Sequence, residues 1–474
     1  MTVQENDENE KGPARLSPFH RLAISLLGAL AYLYSPYLLF NALARANLAE
    51  AWALAFAPWA MWAFTRLEAS PTRTNFTCAV LGLTAVLLSH NVTGLLFTPL
   101  LAGYVIIGTF TGGTRTPRVR IVEIILAFCL PFALSGFFWL PALLEQSYVQ
   151  ISRVIVTPDF DYRYNFVSLA DLAALLPRAD TGRLNTQFPA TLGIIQILLA
   201  VLYILLSLRL RQFRKRPVYF TVAVLLLVGL MLSLSEPVWA RVPFLPFVQH
   251  PARLRGLVAL MLAPLAGYSL GLIPGRLRYY LTVASLGLVP LFAFPMLYPR
   301  VDASVAPEPT LATMYAYETQ SGALGTTSFG EYLPAWVETS PNHFESGTRL
   351  ILPDGVRLLS FVEQPIGLRL RVLATNDARL VARTFYFPGW SVLIDGQPAD
   401  ILPTAREGLI SFNVPAGEHR IEIGYAGTAV ERIAEGISFA GALFFISLLL
   451  FDRGLFTRPF HTATEGPVAA SRAT

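Results

Sequence analysis

The stretch FTCAVLGLTAVLLSHNVTGLLFTPLLAGYVIIGTF, residues 76–110, is apolar along most of its length and contains no Asp, Glu, Lys or Arg. The polar group SHNVTG, residues 89–94, interrupts it. A helix needs about 20 apolar residues, and at least about 17, to cross the hydrocarbon core of a bilayer. Ser, Asn and Gly favour tight turns. The stretch therefore predicts two short apolar helices joined at residues 89–94.

The rest of the chain has the same apolar character. Of its 474 residues, 54% are hydrophobic and 14% are charged, and the mean hydropathy is +0.51. This composition is typical of a multi-span membrane protein rather than of a soluble enzyme. We expect about ten spans, near residues 22–40, 49–65, 76–89, 93–110, 119–142, 190–208, 218–235, 256–273, 280–297 and 434–451.

The basic residues predict how these spans are oriented. With ten spans counted, Lys and Arg concentrate in alternate loops, and cytoplasmic loops carry the excess of Lys and Arg. The net charge of +5 thus reflects topology, and no nucleic-acid partner is predicted. Both termini, residues 1–18 and 453–474, are expected in the cytoplasm. The cytoplasmic set comprises Arg15, Arg21, Arg66, Arg73, Arg115, Arg118, Arg120, Arg209, Arg211, Arg214, Lys215, Arg216, Arg276, Arg278, Arg453 and Arg458.

Residues 299–433 differ from the apolar core at 19–298. Charged residues, Gly-Pro-Asp turns and alternation of apolar and polar positions replace the apolar runs, as in GLRLRVLAT, residues 367–375. Asp395-Gly396 lies between two extended pieces, which is a hairpin signal because Gly accepts the positive φ of tight primed turns. The pattern predicts an extracytoplasmic, β-sandwich-like domain before a terminal helix at 434–452.

No nucleotide-binding loop, zinc pattern or nucleophile elbow is present, so candidate sites rest on scattered polar residues of the outer side. His90 and Asn91 either end a helix at the membrane interface or reach into an outer cavity. Arg45 and Glu50 form either a structural pair at helix ends or a contact to a lipid phosphate.

Two further outer segments carry candidates. Asp159 and Asp161, near an arginine, could bind a divalent cation or a sugar hydroxyl or act as a base, although a solvated loop has the same composition. His250, Arg253 and Arg255 lie at the outer start of a helix, where the dipole and the guanidinium groups suit phosphate, although an interfacial anchor is the simpler interpretation. The sequence shows no spacing of Cys or His typical of a metal site. A divalent cation is left open as a cofactor only because of the Asp159 and Asp161 carboxylates.

Three stretches together resemble a known family. They are residues 33–62, residues 245–256 (LPFVQHPARLRG), and residues 315–337 with 385–399, which contain TTSFGEYLP and PGW followed by DG. They are similar to large bacterial integral membrane proteins with a 6-pyruvoyl-tetrahydropterin-synthase-related domain, neighbours of the YfhO-like proteins and of the GT-C glycosyltransferases. The soluble pterin enzyme uses zinc-binding histidines, and this sequence has no such cluster.

The resemblance implies a protein of the bacterial plasma membrane that moves a sugar from a polyprenyl-phosphate donor to an envelope glycan or glycolipid. In that family the stretch matching 33–62 follows further helices and an acidic outer loop, which this sequence does not show. Two interpretations stay open: sequence is missing before residue 1, or the protein is a shortened homologue in which Glu50, Asp159 or Asp161 supplies the catalytic carboxylate. Lipid phosphate would bind Arg45, Arg253 and Arg255, with His90, Asn91 and His250 nearby, and glycan would stack on Tyr332, Trp336 and Trp390.

Two alternatives stay open at this point. The first is a membrane scaffold without catalytic activity, whose β domain binds a glycan or a partner transferase. The second is a transporter, which the scarcity of charged residues inside the spans disfavours.

Overall fold

The structure is a computed structural model that describes residues 17–109, 117–158, 160–175, 191–298, 310–321, 330–339 and 349–451. Most of these residues are helical, and a separate β-sheet region lies near the C-terminus. The helices are α1 Pro18–Leu33, α2 Pro36–Leu39, α3 Leu48–Ala69, α4 Arg73–Ser89, α5 Asn91–Thr109, α6 Pro117–Leu134, α7 Gly136–Leu144, α8 Ile151–Val154, α9 Leu169–Ala173, α10 Ile194–Leu210, α11 Lys215–Met231, α12 Glu236–Arg241, α13 Arg255–Gly271, α14 Gly275–Leu297, α15 Leu311–Ser321 and α16 Ala429–Phe451.

Each apolar run predicted from the sequence overlaps one helix or two consecutive helices. Within the described residues, four helical segments are long and apolar enough to cross a membrane: Asn91–Thr109, Pro251–Gly271, Gly275–Leu297 and Ala429–Phe451. The number rises to seven if each of three bent pairs is one span, and α1 with α2 is such a pair, bent by 49° at Ser35. Pro36 begins α2, because proline cannot donate its backbone nitrogen but fits the first turn of a helix.

The break inside the opening stretch is shorter than the sequence suggests. α4 ends at Ser89 and α5 begins at Asn91, so His90 alone is extended, with φ −156° and ψ 114°. Gly94 lies directly against Leu87, where a Cβ would come within 2.8 Å of a Leu87 methyl group. The predicted turn is therefore confirmed, and a glycine lets the two helices approach closely across it.

The centre of the helical bundle is α13, whose side chains are buried along nearly its whole length. It packs against α1, α10 and α11. Small residues permit these close contacts: a Cβ on Gly28 of α1 would meet the Ala263 carbonyl oxygen at 3.1 Å, and one on Gly267 would meet Ile24 at 3.2 Å. Because α13 is central, the residues at its start are held firmly against neighbouring helices.

The β region consists of two antiparallel sheets. One has the strand order β1-β4-β7 and the other β2-β3-β8-β5-β6, and their inner faces share one apolar core that includes Leu380, Phe412, Val372 and Ile421. The strands are β1 Leu350–Ile351, β2 Val356–Gln364, β3 Gly367–Ala374, β4 Ala378–Phe385, β5 Trp390–Ile394, β6 Gln397–Ala399, β7 Leu409–Val414 and β8 Gly417–Tyr425. Two packed sheets agree with the predicted sandwich.

Local details of this region both confirm and correct the sequence expectation. Asp395 and Gly396 connect β5 to β6 with φ of +51° and +82°, as the hairpin signal predicts. Residues 311–321 form a helix inside the segment 299–433, for which the sequence predicts a β-rich domain. The terminal helix also begins earlier than predicted, at Ala429 rather than at residue 434.

Candidate functional site

Helix α3 carries a buried carboxylate near each end. Glu50 lies in its first turn and is 2% exposed, and Glu68 lies in its last turn and is 9% exposed. Eighteen residues of α-helix separate them, which is a rise of about 27 Å and close to the thickness of a bilayer core. The two carboxylates therefore mark opposite ends of the bundle, called here the Glu50 end and the Glu68 end.

Glu50 is held by three side chains. The Tyr37 hydroxyl donates to Oε1 at 2.6 Å, and the Asn47 amide donates to Oε2 at 3.0 Å. Arg45 pairs with Oε2 at 3.5 Å between nitrogen and oxygen. Asn47 also caps α3, since its side-chain oxygen accepts the Glu50 backbone N–H at 3.3 Å. The carboxylate is thus fully coordinated inside the protein.

The backbone before α3 has an unusual conformation that positions these groups. Residues Phe40–Ala44 form a π-helical turn, and Ala46 has a φ of +52°. A left-handed non-glycine residue costs free energy, and both features cluster at functional sites in proteins. The turn brings Arg45 back over the first turn of α3, next to Glu50.

The second segment of the site begins at Gln249, which has a φ of +66°. His250 follows it, and a single 3₁₀ turn at Pro251–Leu254 leads into α13. Arg255, at the start of α13, is 1% exposed; its Nε donates to the Ala252 carbonyl at 2.7 Å. Its guanidinium carbon lies 5.0 Å from the centre of the Tyr37 ring, which is a cation–π contact.

These segments and the α4–α5 junction meet at the Glu50 end. We call the group of Tyr37, Arg45, Glu50, His90, His250, Arg253 and Arg255 the Glu50 cluster. Arg253 is close enough to lower the pKa of Arg45, of His90 and of His250, and Arg45 lowers the pKa of both histidines. Six of the candidates named from sequence are thereby brought together.

The pKa of both histidines of the cluster lies below the ordinary histidine value, which favours the neutral form at neutral pH. Burial first, and then Arg253, Arg45 and Arg255, lower the pKa of His250 to about 4. Burial also lowers the pKa of His90, and the negative charge of Glu50 opposes that shift. The Nδ1 atom of His90 lies 2.8 Å from the Thr93 hydroxyl and accepts the Thr93 backbone N–H at 3.2 Å.

Two residues of these segments, which do not take part in the ion pair of Arg45 or the cation–π contact of Arg255, have buried polar atoms that lack a hydrogen-bond partner within the described part of the chain. One is Arg253, whose Nε is buried. The other is Asn41, which is fully buried in the π-helical turn with both atoms of its amide unpaired. A buried donor without an acceptor costs about 1–3 kcal/mol, so such groups are typical of sites that meet a ligand or bound water.

The other sequence-predicted residues do not join the cluster. Asn91 is exposed at the start of α5. Asp161 is 3% exposed and accepts the Arg163 backbone N–H at 2.9 Å and its Nε at 2.9 and 3.0 Å. These hydrogen bonds lower the pKa of Asp161. Asp159 lies outside the described residues, and the neighbouring Phe160 ring packs edge-on against His250, at 6.1 Å between centres.

The aromatic candidates of the β region have different surroundings. Trp336 packs between Tyr148, at 6.0 Å, and Tyr386, at 4.9 Å, so its ring joins the helical part to the β region. Trp390 packs edge-on against Tyr425 at 5.5 Å. Tyr332 is 62% exposed and presents its ring to the surroundings.

Sequence reasoning missed Tyr37 and Asn47 as partners of Glu50. Asn47 could have been found, because Asn directly before an apolar helical run is an N-cap signal. Tyr37 could not, since thirteen positions separate it from Glu50 and only the fold joins them. Among the described residues, no three His, Cys, Asp or Glu side chains converge in a way that could hold a metal ion.

Comparisons with protein-family models, with curated proteins and with solved structures found no match to this chain.

Proposed function

We propose that the Glu50 cluster binds the phosphate of a polyprenyl-phosphate-linked sugar, in a GT-C-like membrane protein that serves sugar transfer to envelope glycans or glycolipids. The observation that carries the proposal is the charge of the cluster. In the described part of the chain, the guanidinium groups of Arg45, Arg253 and Arg255 lie with the Glu50 carboxylate, and the pKa of both histidines is lowered, which favours their neutral form. Three guanidinium groups in a largely buried site favour an anionic ligand, and guanidinium groups suit phosphate.

The distribution of Lys and Arg supports a proposal for how the helices lie in the membrane. Arg216, in a loop rich in Lys and Arg and predicted to be cytoplasmic, pairs with Glu68 at 2.9 Å at the Glu68 end. Residues 45–50, 89–94 and 250–255, from segments predicted to be outside, meet at the Glu50 end. We therefore propose that the ten helical runs lie in the bilayer, with the Glu50 cluster at the outer headgroup level. The β region, which follows the segment that contacts Tyr148 and Gln150, would then lie outside, and both termini would be cytoplasmic.

Glu50 acts in this proposal as a positioning residue. Its carboxylate is buried and already accepts hydrogen bonds from Tyr37 and Asn47 while pairing with Arg45. It therefore fixes Arg45 at the phosphate and is poorly placed to take a proton from an acceptor sugar. The base of a transfer reaction would have to come from another residue.

The burial of the candidate carboxylates supports a second candidate function. Glu50 and Asp161, the two candidate carboxylates that the structure describes, are both buried and both engaged. This favours a non-catalytic membrane scaffold that holds a lipid-linked sugar for a partner transferase. Both functions require binding of lipid phosphate, and only the enzyme transfers the sugar to an acceptor.

Binding is tested with purified protein in nanodiscs, titrated with a polyprenyl phosphate. The Arg45→Met/Arg253→Met variant should lose most of the binding. Arg241→Met is the matched control, because Arg241 is an exposed arginine on the side predicted to be outside and contacts only the Pro237 carbonyl in the described structure. Equal binding by the wild type, the double variant and the control would refute the proposal.

Transfer is tested with a radiolabelled polyprenyl-phosphate sugar and membrane glycan as acceptor. Labelling of the acceptor by purified wild-type protein, lost in the double variant, would establish the enzyme. Binding without labelling would establish the scaffold.

A further inference from the structure

The Glu68 end has an exposed basic surface, formed by the turn between α10 and α11. Arg209, Arg211, Arg214 and Lys215 are all exposed there. No Asp or Glu occurs between residues 194 and 235, so the two helices bring no acid of their own to this turn. The surface therefore carries a concentrated positive charge.

Glu68, which pairs with a residue of α11 next to this turn, is already engaged. Glu68 pairs with Arg216 at 2.9 Å, and the same guanidinium lies 5.2 Å from the centre of the Tyr104 ring. Arg216 is thus part of the packed bundle. In the described part of the chain, the side chains of Arg209, Arg211, Arg214 and Lys215 form no ion pair or hydrogen bond, so their charges are available to a partner.

A second basic segment lies beside this turn. Ile194 at the start of α10 lines the same small cavity as Phe292 and Ala293 near the end of α14, so the two helices run antiparallel. The beginning of α14 therefore lies near the end of α10. Exposed Arg276 is located there, together with exposed Tyr279 and Tyr280.

Apolar side chains alternate with these cations. Leu208, Leu210 and Phe213 are 57%, 45% and 58% exposed. Cationic groups beside exposed Leu, Phe and Tyr match a lipid interface, where the charge meets phosphate and the apolar groups enter the acyl region. A soluble polyanion such as nucleic acid would leave these apolar groups in water.

We propose that this basic surface, Arg209, Arg211, Arg214, Lys215 and Arg276 with the apolar side chains between them, binds the headgroups of anionic phospholipids. Each Lys or Arg near an anionic membrane surface contributes a favourable interaction, so several together select anionic over zwitterionic lipid. The inference rests on the bundle lying in a bilayer. It does not depend on the lipid-phosphate site at the Glu50 end.

Native mass spectrometry of the detergent-purified full chain, titrated with phosphatidylglycerol or phosphatidylcholine, tests the proposal. The Arg214→Gln/Lys215→Gln variant should bind phosphatidylglycerol roughly 30-fold more weakly, with phosphatidylcholine binding unchanged. Arg241→Gln/Arg357→Gln is the matched control, because it removes two exposed charges elsewhere. It should bind like the wild type.

An equal loss in both variants would overturn the proposal, since net charge and not this surface would then set the affinity. The alternative to lipid as the occupant of the basic surface is the acidic segment of residues 2–10. If the full chain bound no phosphatidylglycerol and bound it only after deletion of those residues, the surface would serve that segment and the proposal would be wrong. Unchanged polyprenyl-phosphate binding by Arg214→Gln/Lys215→Gln would separate the two sites.

Discussion

Replacing Arg253 with Met should weaken phosphate binding without destabilising the fold. Met keeps an unbranched apolar stem and removes the charge. Within the described structure the buried Nε of Arg253 has no hydrogen-bond partner, so its removal leaves no acceptor unpaired. Arg253 also lowers the pKa of Arg45 and of His250, which is the signature of repulsion between like charges. The midpoint of thermal unfolding should therefore stay constant or rise.

The binding loss follows from the type of contact. A hydrogen bond to a charged group contributes about 1.5–3 kcal/mol. The dissociation constant for a polyprenyl phosphate should therefore rise roughly 10- to 150-fold, at 1.4 kcal/mol per factor of ten. A second consequence concerns His250, whose pKa is about 4 in part because of Arg253. In the variant this pKa should move back toward the ordinary histidine value.

The assay combines three measurements on one preparation: thermal unfolding, lipid-phosphate titration in nanodiscs, and titration of His250 by NMR. Arg241→Met serves as the control for loss of an exposed arginine outside the cluster. A fall of several degrees in the unfolding midpoint with unchanged binding would refute the reasoning, because Arg253 would then support the fold and not a ligand. Binding equal to that of the control would also refute it.

Three further predictions concern single side chains. Glu50→Gln and Glu68→Gln each remove one partner of a buried ion pair, so each should destabilise the fold by about 2–4 kcal/mol in thermal unfolding. Only Glu50→Gln should also lower the pKa of His90 further in NMR titration, because the Glu50 charge raises that pKa. His250 has a folded-state pKa of about 4, below the ordinary 6.5, so the unfolded chain takes up its proton first. Acidification from pH 6.5 to 4 should cost up to about 3 kcal/mol, a loss that His250→Gln should abolish. Asp161→Asn should cost about 1 kcal/mol and leave polyprenyl-phosphate affinity within about twofold, and a selective loss of binding would instead assign Asp161 to the site.

The helices and the β region were largely readable from the sequence. Apolar runs report each residue's local preference for an apolar environment, and alternation reports which face of a strand is buried, so both signals are local. The helix at residues 311–321 was missed because it is short and carries no sustained apolar run of the kind that marks the helices of the core. The early start of α16 was missed because its first turns contain Glu431, Arg432 and Glu435 and lower the apolar signal.

The candidate site was only partly readable. The residue types predicted that Arg45, Glu50, His250 and Arg253 suit phosphate, and these residues do meet in the fold. The sequence could not tell Asp161, which is locked by a neighbouring arginine, from a free catalytic carboxylate. That distinction depends on burial and on hydrogen-bond partners.

The sequence by itself determined that this chain is a set of apolar helices followed by a β region, because each residue's hydrophobicity and turn preference act over a few neighbours. Only the tertiary structure decided that residues from 37, 45, 50, 90 and 250–255 form one cluster. The packing of α2 and α3 against α13, and of α4 and α5 against α3, sets those distances. The same packing buries Glu50 and keeps both histidines neutral, because desolvation and neighbouring guanidinium groups exist only once the helices are assembled.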